Sequence, residues 1–172
     1  MAKVIPVFFL VFFSLTGRCE VLFTGDAVQP LKPAFSFFHD ASGKLGVEEI
    51  RRRNFSAGSL GGFFPGKVWA MAEICHKGPE KLFFIYKDPI DAIDIYVGAS
   101  TEPIRHRFLE KIDLAEHFWV KMELPIQGCE KVHVMFKSGD VMNLGAVLMS
   151  AEILRREEGK YISFYAIFYS FL

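Results

Sequence analysis

Between His117 and Leu124 the chain sorts its residues by twos: Phe118, Val120, Met122 and Leu124 fall on one side, His117, Trp119, Lys121 and Glu123 on the other. That is the period of a β-strand, whose successive side chains point to opposite faces, and no α-helix separates these residues in this way. Val68 to Cys75 repeats the arrangement, with Val68, Ala70, Ala72 and Ile74 predicted inward and Trp69, Met71, Glu73 and Cys75 opposite. Lys81 to Lys87 is almost continuously apolar, and Ile90 to Val97 aligns Ile93, Ile95 and Val97. Val132 to Phe136 aligns Val132, Val134 and Phe136, and Val141 to Met149 closes the series. Turn chemistry separates these runs at Lys77-Gly78-Pro79, Asp88-Pro89, Gly98 to Pro103, Pro125 to Gly128 and Ser138-Gly139-Asp140. Short strands at this spacing predict an all-β fold, an antiparallel β-sandwich of the jelly-roll kind, over residues 20–150.

Both ends are predicted to meet a membrane. Lys3, the apolar stretch Val4 to Phe13 and the small residues Ser14, Thr16 and Gly17 follow the order of a secretion leader, with cleavage expected after Cys19 so that residues 1–19 form a signal peptide. At the other end the uncharged run Tyr161 to Leu172 follows the charged collar Arg155-Arg156-Glu157-Glu158-Gly159-Lys160. It is shorter than the ~20 apolar residues a span requires and reads as the start of a transmembrane helix over 151–172, the alternative being a final amphiphilic strand on a soluble core. The domain is therefore expected outside the cytoplasm, on the periplasmic face and attached to the inner membrane, or secreted if the last run is not a transmembrane helix.

Charge and motifs exclude several function classes. The 20 basic and 20 acidic residues cancel, and no basic stripe with interleaved aromatics stands out, so no nucleic-acid partner is expected. No Gly-x-Ser-x-Gly elbow is present, and His39, His76, His106, His117 and His133 are scattered without the spacing of a metal face. These histidines are expected at the surface or at sheet edges. Asp88, Asp91 and Asp94 fit neither a glycosidase pair nor a calcium site, because Asp91 points away from the other two along a strand; they are expected to blunt edges and turns. No enzyme, cofactor or metal is predicted. Cys75 and Cys129 are the pair left beyond the leader; spacing alone cannot show that their Cα atoms approach, so two separate half-buried thiols are the expectation and a disulfide the alternative.

One short helix is predicted where Val47-Glu-Glu-Ile-Arg-Arg-Arg53 places acids in its first turn and bases in its last, matching the helix dipole. Gly58 to Gly66 reads as a flexible loop before the Trp69 strand.

The ordered blocks Phe38-His-Asp-Ala-Ser-Gly43 with Leu45, Val47-Glu-Glu-Ile50, Val68-Trp-Ala70, Asp91-Ala-Ile-Asp-Ile-Tyr96 and Phe118-Trp-Val120 make a further pattern. From about Phe35 to Ser150 the chain resembles the extracellular sensor domain, of the second type, of bacterial seven-transmembrane receptors with diverse intracellular signalling modules. The resemblance implies a jelly-roll fold related to carbohydrate-binding modules, signal transduction, and a ligand that is a carbohydrate or another small solute. Family members place Arg where this chain has Met71, and often where it has Met135, and the loop between Tyr96 and His117 looks shortened. The chain also stops before any signalling module, so a truncated receptor and a degenerate copy are the two expectations.

The expected function is thus ligand sensing outside the cell, the alternative being a secreted or surface-attached structural or adhesive sandwich. Trp69 and Trp119 are the candidate stacking platform for a sugar ring, with His117, Lys121 and Glu73 as polar neighbours able to fix hydroxyl groups.

Overall fold

The computed structural model describes residues 20–23, 27–57, 61–62, 64–87, 90–107, 120–138, 142–143 and 145–170. The expected leader, Phe118, Trp119 and His117 lie outside the described residues. The strands, in chain order, are β1 (Glu20–Phe23), β2 (Gln29–Pro30), β3 (Ser36–Asp40), β4 (Ser56–Ala57), β5 (Gly61–Gly62), β6 (Lys67–His76), β7 (Leu82–Tyr86), β8 (Ala92–Val97), β9 (Ile104–Arg107), β10 (Val120–Leu124), β11 (Gly128–Lys137), β12 (Met142–Asn143) and β13 (Val147–Ser150). The helices are α1 (Val47–Ile50) and α2 (Ala151–Ser170), with one 3-10 turn at Lys32–Ala34.

An all-β sandwich results. The larger sheet runs β4-β3-β6-β11-β8-β9, with β1 added in parallel to the end of β6, and the smaller runs β10-β7-β13-β2; β12 and β5 form a separate ribbon. The alternation predicted for β6 holds in space. Val68, Ala70, Ala72 and Ile74 enter the central core with Val132, Val134 and Phe136 of β11 and Ile93 and Ile95 of β8. The smaller sheet supplies Leu82, Phe84 and Tyr86 of β7, Met122 and Leu124 of β10, and Leu148 of β13. Phe136 joins the layers, its ring centroid 5.6 Å from Tyr86 and 6.5 Å from Phe84. Interior aromatic pairs of this sort add to the apolar area they remove from water.

Both outer faces are covered as well. Val47 and Ile50 of α1 lie on Trp69 and Met135, while Ile153 and Leu154 of α2 lie on Ile85 and Met149. The predicted helix at 47–53 is α1 followed by turns, since Arg52 and Arg53 still donate their amides to Glu49 and Ile50. The C-terminal segment is helical, not the strand considered as its alternative, because Ala151 leaves β13 directly with its amide on the Lys81 carbonyl. Among the described residues no helix is long and apolar enough to cross a membrane. The first half of α2 carries Glu152, Arg155, Arg156, Glu157, Glu158 and Lys160.

Cys75 and Cys129 are bonded. They face one another across β6 and β11, with an S–S distance of 2.08 Å and a Cα–Cα distance of 3.9 Å. The bridge joins residues 54 apart in sequence, and closing a loop of that size removes about 4 kcal/mol of unfolded-state entropy in the chain-entropy account. Replacing both cysteines by serine is expected to lower stability by about 2–4 kcal/mol in urea unfolding. A change under about 0.5 kcal/mol, the size of an ordinary surface substitution, would mean that the strand ladder alone holds this end.

A candidate ligand face and where its residues lie

Strand register places a continuous row of side chains on the outer face of the larger sheet: Phe38, Trp69, Met135, Asp94 and Arg105 stand opposite one another across β3, β6, β11, β8 and β9. The next row holds Met71, His133 and Tyr96. Segment 41–57 covers both rows. Its entry is held by Asp40, whose Oδ1 accepts the amides of Ser42 and Gly43, each at 3.1 Å, and the Ser42 hydroxyl at 2.5 Å, while Oδ2 accepts the Leu45 amide at 3.0 Å. Burial works to raise the Asp40 pKa, but these donors, Ser42 first, outweigh it and hold the carboxyl below its ordinary range.

This cover overturns one expectation. Trp69 is 1% exposed, with Val47, Ile50, Leu45, Phe38 and Phe55 around it and the Tyr96 ring centroid at 5.8 Å. No ligand can stack on it, because the outward face of β6 is the floor of a second apolar cluster. Periodicity distinguishes the two faces of a strand but not an open face from one roofed by a distant segment.

The remaining candidate residues do not converge. Glu73 shares the outer face of β6 with Trp69 but lies four residues on, ~13 Å along the strand, opposite Lys131. Lys121 stands on the outer face of the other sheet, opposite Ile85, and pairs with Glu158 of α2. Trp69 and Glu73 on one side and Lys121 on the other therefore occupy opposite outer surfaces of the sandwich.

Three polar residues have environments other than those expected. Asp94 blunts no edge: it is 6% exposed on β8, between β11 and β9, with Arg107 Nη1 at 2.6 Å and Arg105 Nε at 3.9 Å. The pattern Arg105-x-Arg107, two bases on one strand face, was the available signal for such a partner. His76 and His133 are each 4% exposed rather than at the surface. His76 Nε2 lies 2.7 Å from the Glu80 carbonyl, and His133 meets the Phe55 ring edge to face at 5.9 Å. Burial, then the positive charges of Arg51 and Lys131, push His133 down to about 4. Burial and the Asp94 charge raise the Tyr96 phenol.

Arg51 has a role that sequence reading missed. Its Nη2 donates to the carbonyls of Gly98 at 2.8 Å and Ser100 at 2.7 Å, and its Nη1 to Ala99 at 3.2 Å and Glu48 at 2.7 Å. The guanidinium thus ties the α1 cover to the turn between β8 and β9. Nothing in a run of three arginines distinguishes the one whose carbonyl partners lie nearly fifty residues away.

The described residues form depressions open to solvent, two of which matter here. One, of about 280 Å³, lies between the β8–β9 turn and the segment before β11, lined by Ile95, Val97, Gly98, Ile104, Pro125 and Glu130 among others. The second, of about 490 Å³, lies at the foot of α2 among Glu80, Lys81, Glu152 and Arg155. Among the described residues no group of three or more His, Cys, Asp or Glu is placed to hold a metal ion.

Trp69→Ala is expected to cost about 3–5 kcal/mol, the range for truncating a buried aromatic, whereas an exposed platform residue would cost under about 1; chemical denaturation separates the two. His133 generates a pH dependence. Its folded pKa of about 4 lies below the ordinary 6.5, so the native state favours the neutral ring. Its contribution is complete above the unfolded pKa and is lost as pH falls from there through the folded value, on the order of 3 kcal/mol over the window. Unfolding free energies across that window should fall with pH in the parent chain and fall less in His133→Gln. Equal slopes would remove His133 as the source. Compared with protein-family models and with curated proteins, the chain matches none.

Proposed function

We propose that this chain is an extracytoplasmic ligand-sensing domain of a bacterial membrane receptor, a sandwich of the jelly-roll kind that passes a ligand signal to a membrane-attached helix. The observation that carries the reading is the junction at Ser150. Strand β13 becomes helix α2 without a linker, and the first turns of α2 are held on the smaller sheet by Ile153, Leu154 and the pair Lys121 and Glu158. A helix joined in this way moves with the sheet, which is what a sensing domain needs in order to report occupancy across a short distance. The Cys75–Cys129 bond supports the compartment, because such bonds persist where the surroundings are oxidising. The ligand class carried by this reading is a small solute or carbohydrate, and the signalling partner is the membrane segment expected to follow the collar.

A secreted or surface-attached structural sandwich is the second reading, favoured by the covered outer faces, which leave Trp69 no access to a sugar.

Expression in a bacterium with the native N-terminus, followed by fractionation and mass spectrometry, tests both. The receptor reading expects export, loss of the leader, an oxidised Cys75–Cys129 pair and retention in the membrane after alkaline extraction. Release into the soluble periplasmic fraction would favour the structural sandwich, and a cytosolic product with Met1 intact would sink both.

A further inference from the structure

We propose that the open end of the sandwich is a binding cleft for a small molecule carrying a protonated amine on a short aliphatic body. The proposal rests on the ligand-sensing reading above and names the class of ligand.

The cleft of about 280 Å³ is at the small end of the range that holds organic ligands. Its floor is the inner face of β8 and β9: Ile95, Val97 and Ile104, all packed into or against the central core. Pro125 forms a wall and Glu102 stands at the rim.

Glu130 is the residue that needs explaining. It precedes Val132 by two positions on β11, so it shares the inward face with Val132, Val134 and Phe136 and points its carboxylate into the space between the sheets. A Cβ added to Gly98 would stand 2.6 Å from Glu130 Oε2, so the carboxylate lies directly over the Gly98 backbone, which adopts φ +57°. Among the described residues it has no hydrogen bond or ion pair. At Glu130 β11 keeps β6 beside it, through Ile74, but its pairing with β8 begins only at Val132, so the carboxylate stands where the larger sheet opens past the end of β8.

The nearby cation is already engaged. Arg51 donates to the carbonyls of Gly98, Ala99 and Ser100 and to Glu48, which stiffens the turn that forms one lip of the cleft. A half-buried carboxylate above an apolar floor is complementary to an ammonium group with a hydrocarbon tail: the charge is stronger for being partly withdrawn from water, and the tail covers Val97 and Ile104.

The test uses the full chain, labelled with nitrogen-15, in detergent micelles at neutral pH, with n-butylammonium chloride as probe. Saturable shifts are expected at the amides of Gly98, Ala99, Ser100, Glu130 and Lys131, with a dissociation constant in the millimolar range. Glu130→Gln should weaken binding roughly tenfold, the scale of one partly screened charge pair, and n-butanol should bind at least that much more weakly. Should Glu130→Gln fail to fold, Ala99→Trp, which fills the cleft from its exposed rim, is expected to abolish the shifts. Absence of saturable shifts, equal affinity in either variant, or equal binding of n-butanol would overturn the proposal. A different solute that raises the melting temperature while n-butylammonium does nothing would retire the amine assignment and leave the sensing reading standing. Failure of export would retire the sensing reading whatever the cleft binds.

Discussion

The ladder between β6 and β11 is the constraint on which the rest of the molecule depends. These are the longest strands, paired from Val68 with Phe136 to Cys75 with Cys129 and Gly128 with His76, and both lie inside the larger sheet. Their inward residues are the central wall of the core, and their outward residues, Trp69, His133 and Met135, are the surface on which segment 41–57 folds. A one-residue slip would exchange these two sets, sending Trp69 and His133 into the interior and Val68 and Val134 outward. The disulfide opposes that slip at one end of the ladder, and the Phe136 contact with Tyr86 and Phe84 opposes it at the other.

With the register set, each sheet of the sandwich carries a cover over part of its outer side. The two covers differ in kind. That over the larger sheet is fastened by polar pegs at its edges, Asp40 gathering the 41–45 turn and Arg51 gripping the carbonyls of the β8–β9 turn. That over the smaller sheet is a direct continuation of β13, fastened by apolar contact and the pair Lys121 and Glu158. Covering Trp69 removes it from the solvent, whereas at the end of the sandwich hairpin turns separate and core side chains come close to solvent. The cleft beside Glu130 is such a place.

The buried charges follow the same logic. Asp94 is withdrawn from water on an interior strand beside Arg107 and Arg105 from the neighbouring strand. His133 has two cations and an aromatic edge for neighbours and stays neutral. Removing the arginines would leave the buried carboxylate uncompensated, so the Asp94 cluster fastens β9 onto β8.

The sequence by itself determined the class of fold and the inward half of each main strand. Alternation at Val68 to Cys75 and at Val120 to Leu124 depends only on backbone geometry, which sends neighbouring residues to opposite faces whatever surrounds them. The helical signal at Val47 to Arg53 was legible for the same reason, being carried by adjacent residues. Short β3 and β9 were missed because runs of only five and four residues carry too little pattern to stand out. Only the tertiary structure decided what lies outside each strand. Trp69 looked like a platform and is a floor, Asp94 and His133 looked peripheral and are buried, and Arg51 looked like a base matched to the helix dipole and is a clamp. Each of these outcomes was set by a partner distant in the chain, Ile50 over Trp69 or Gly98 under Arg51, and local periodicity holds no record of which segment folds back to cover a face.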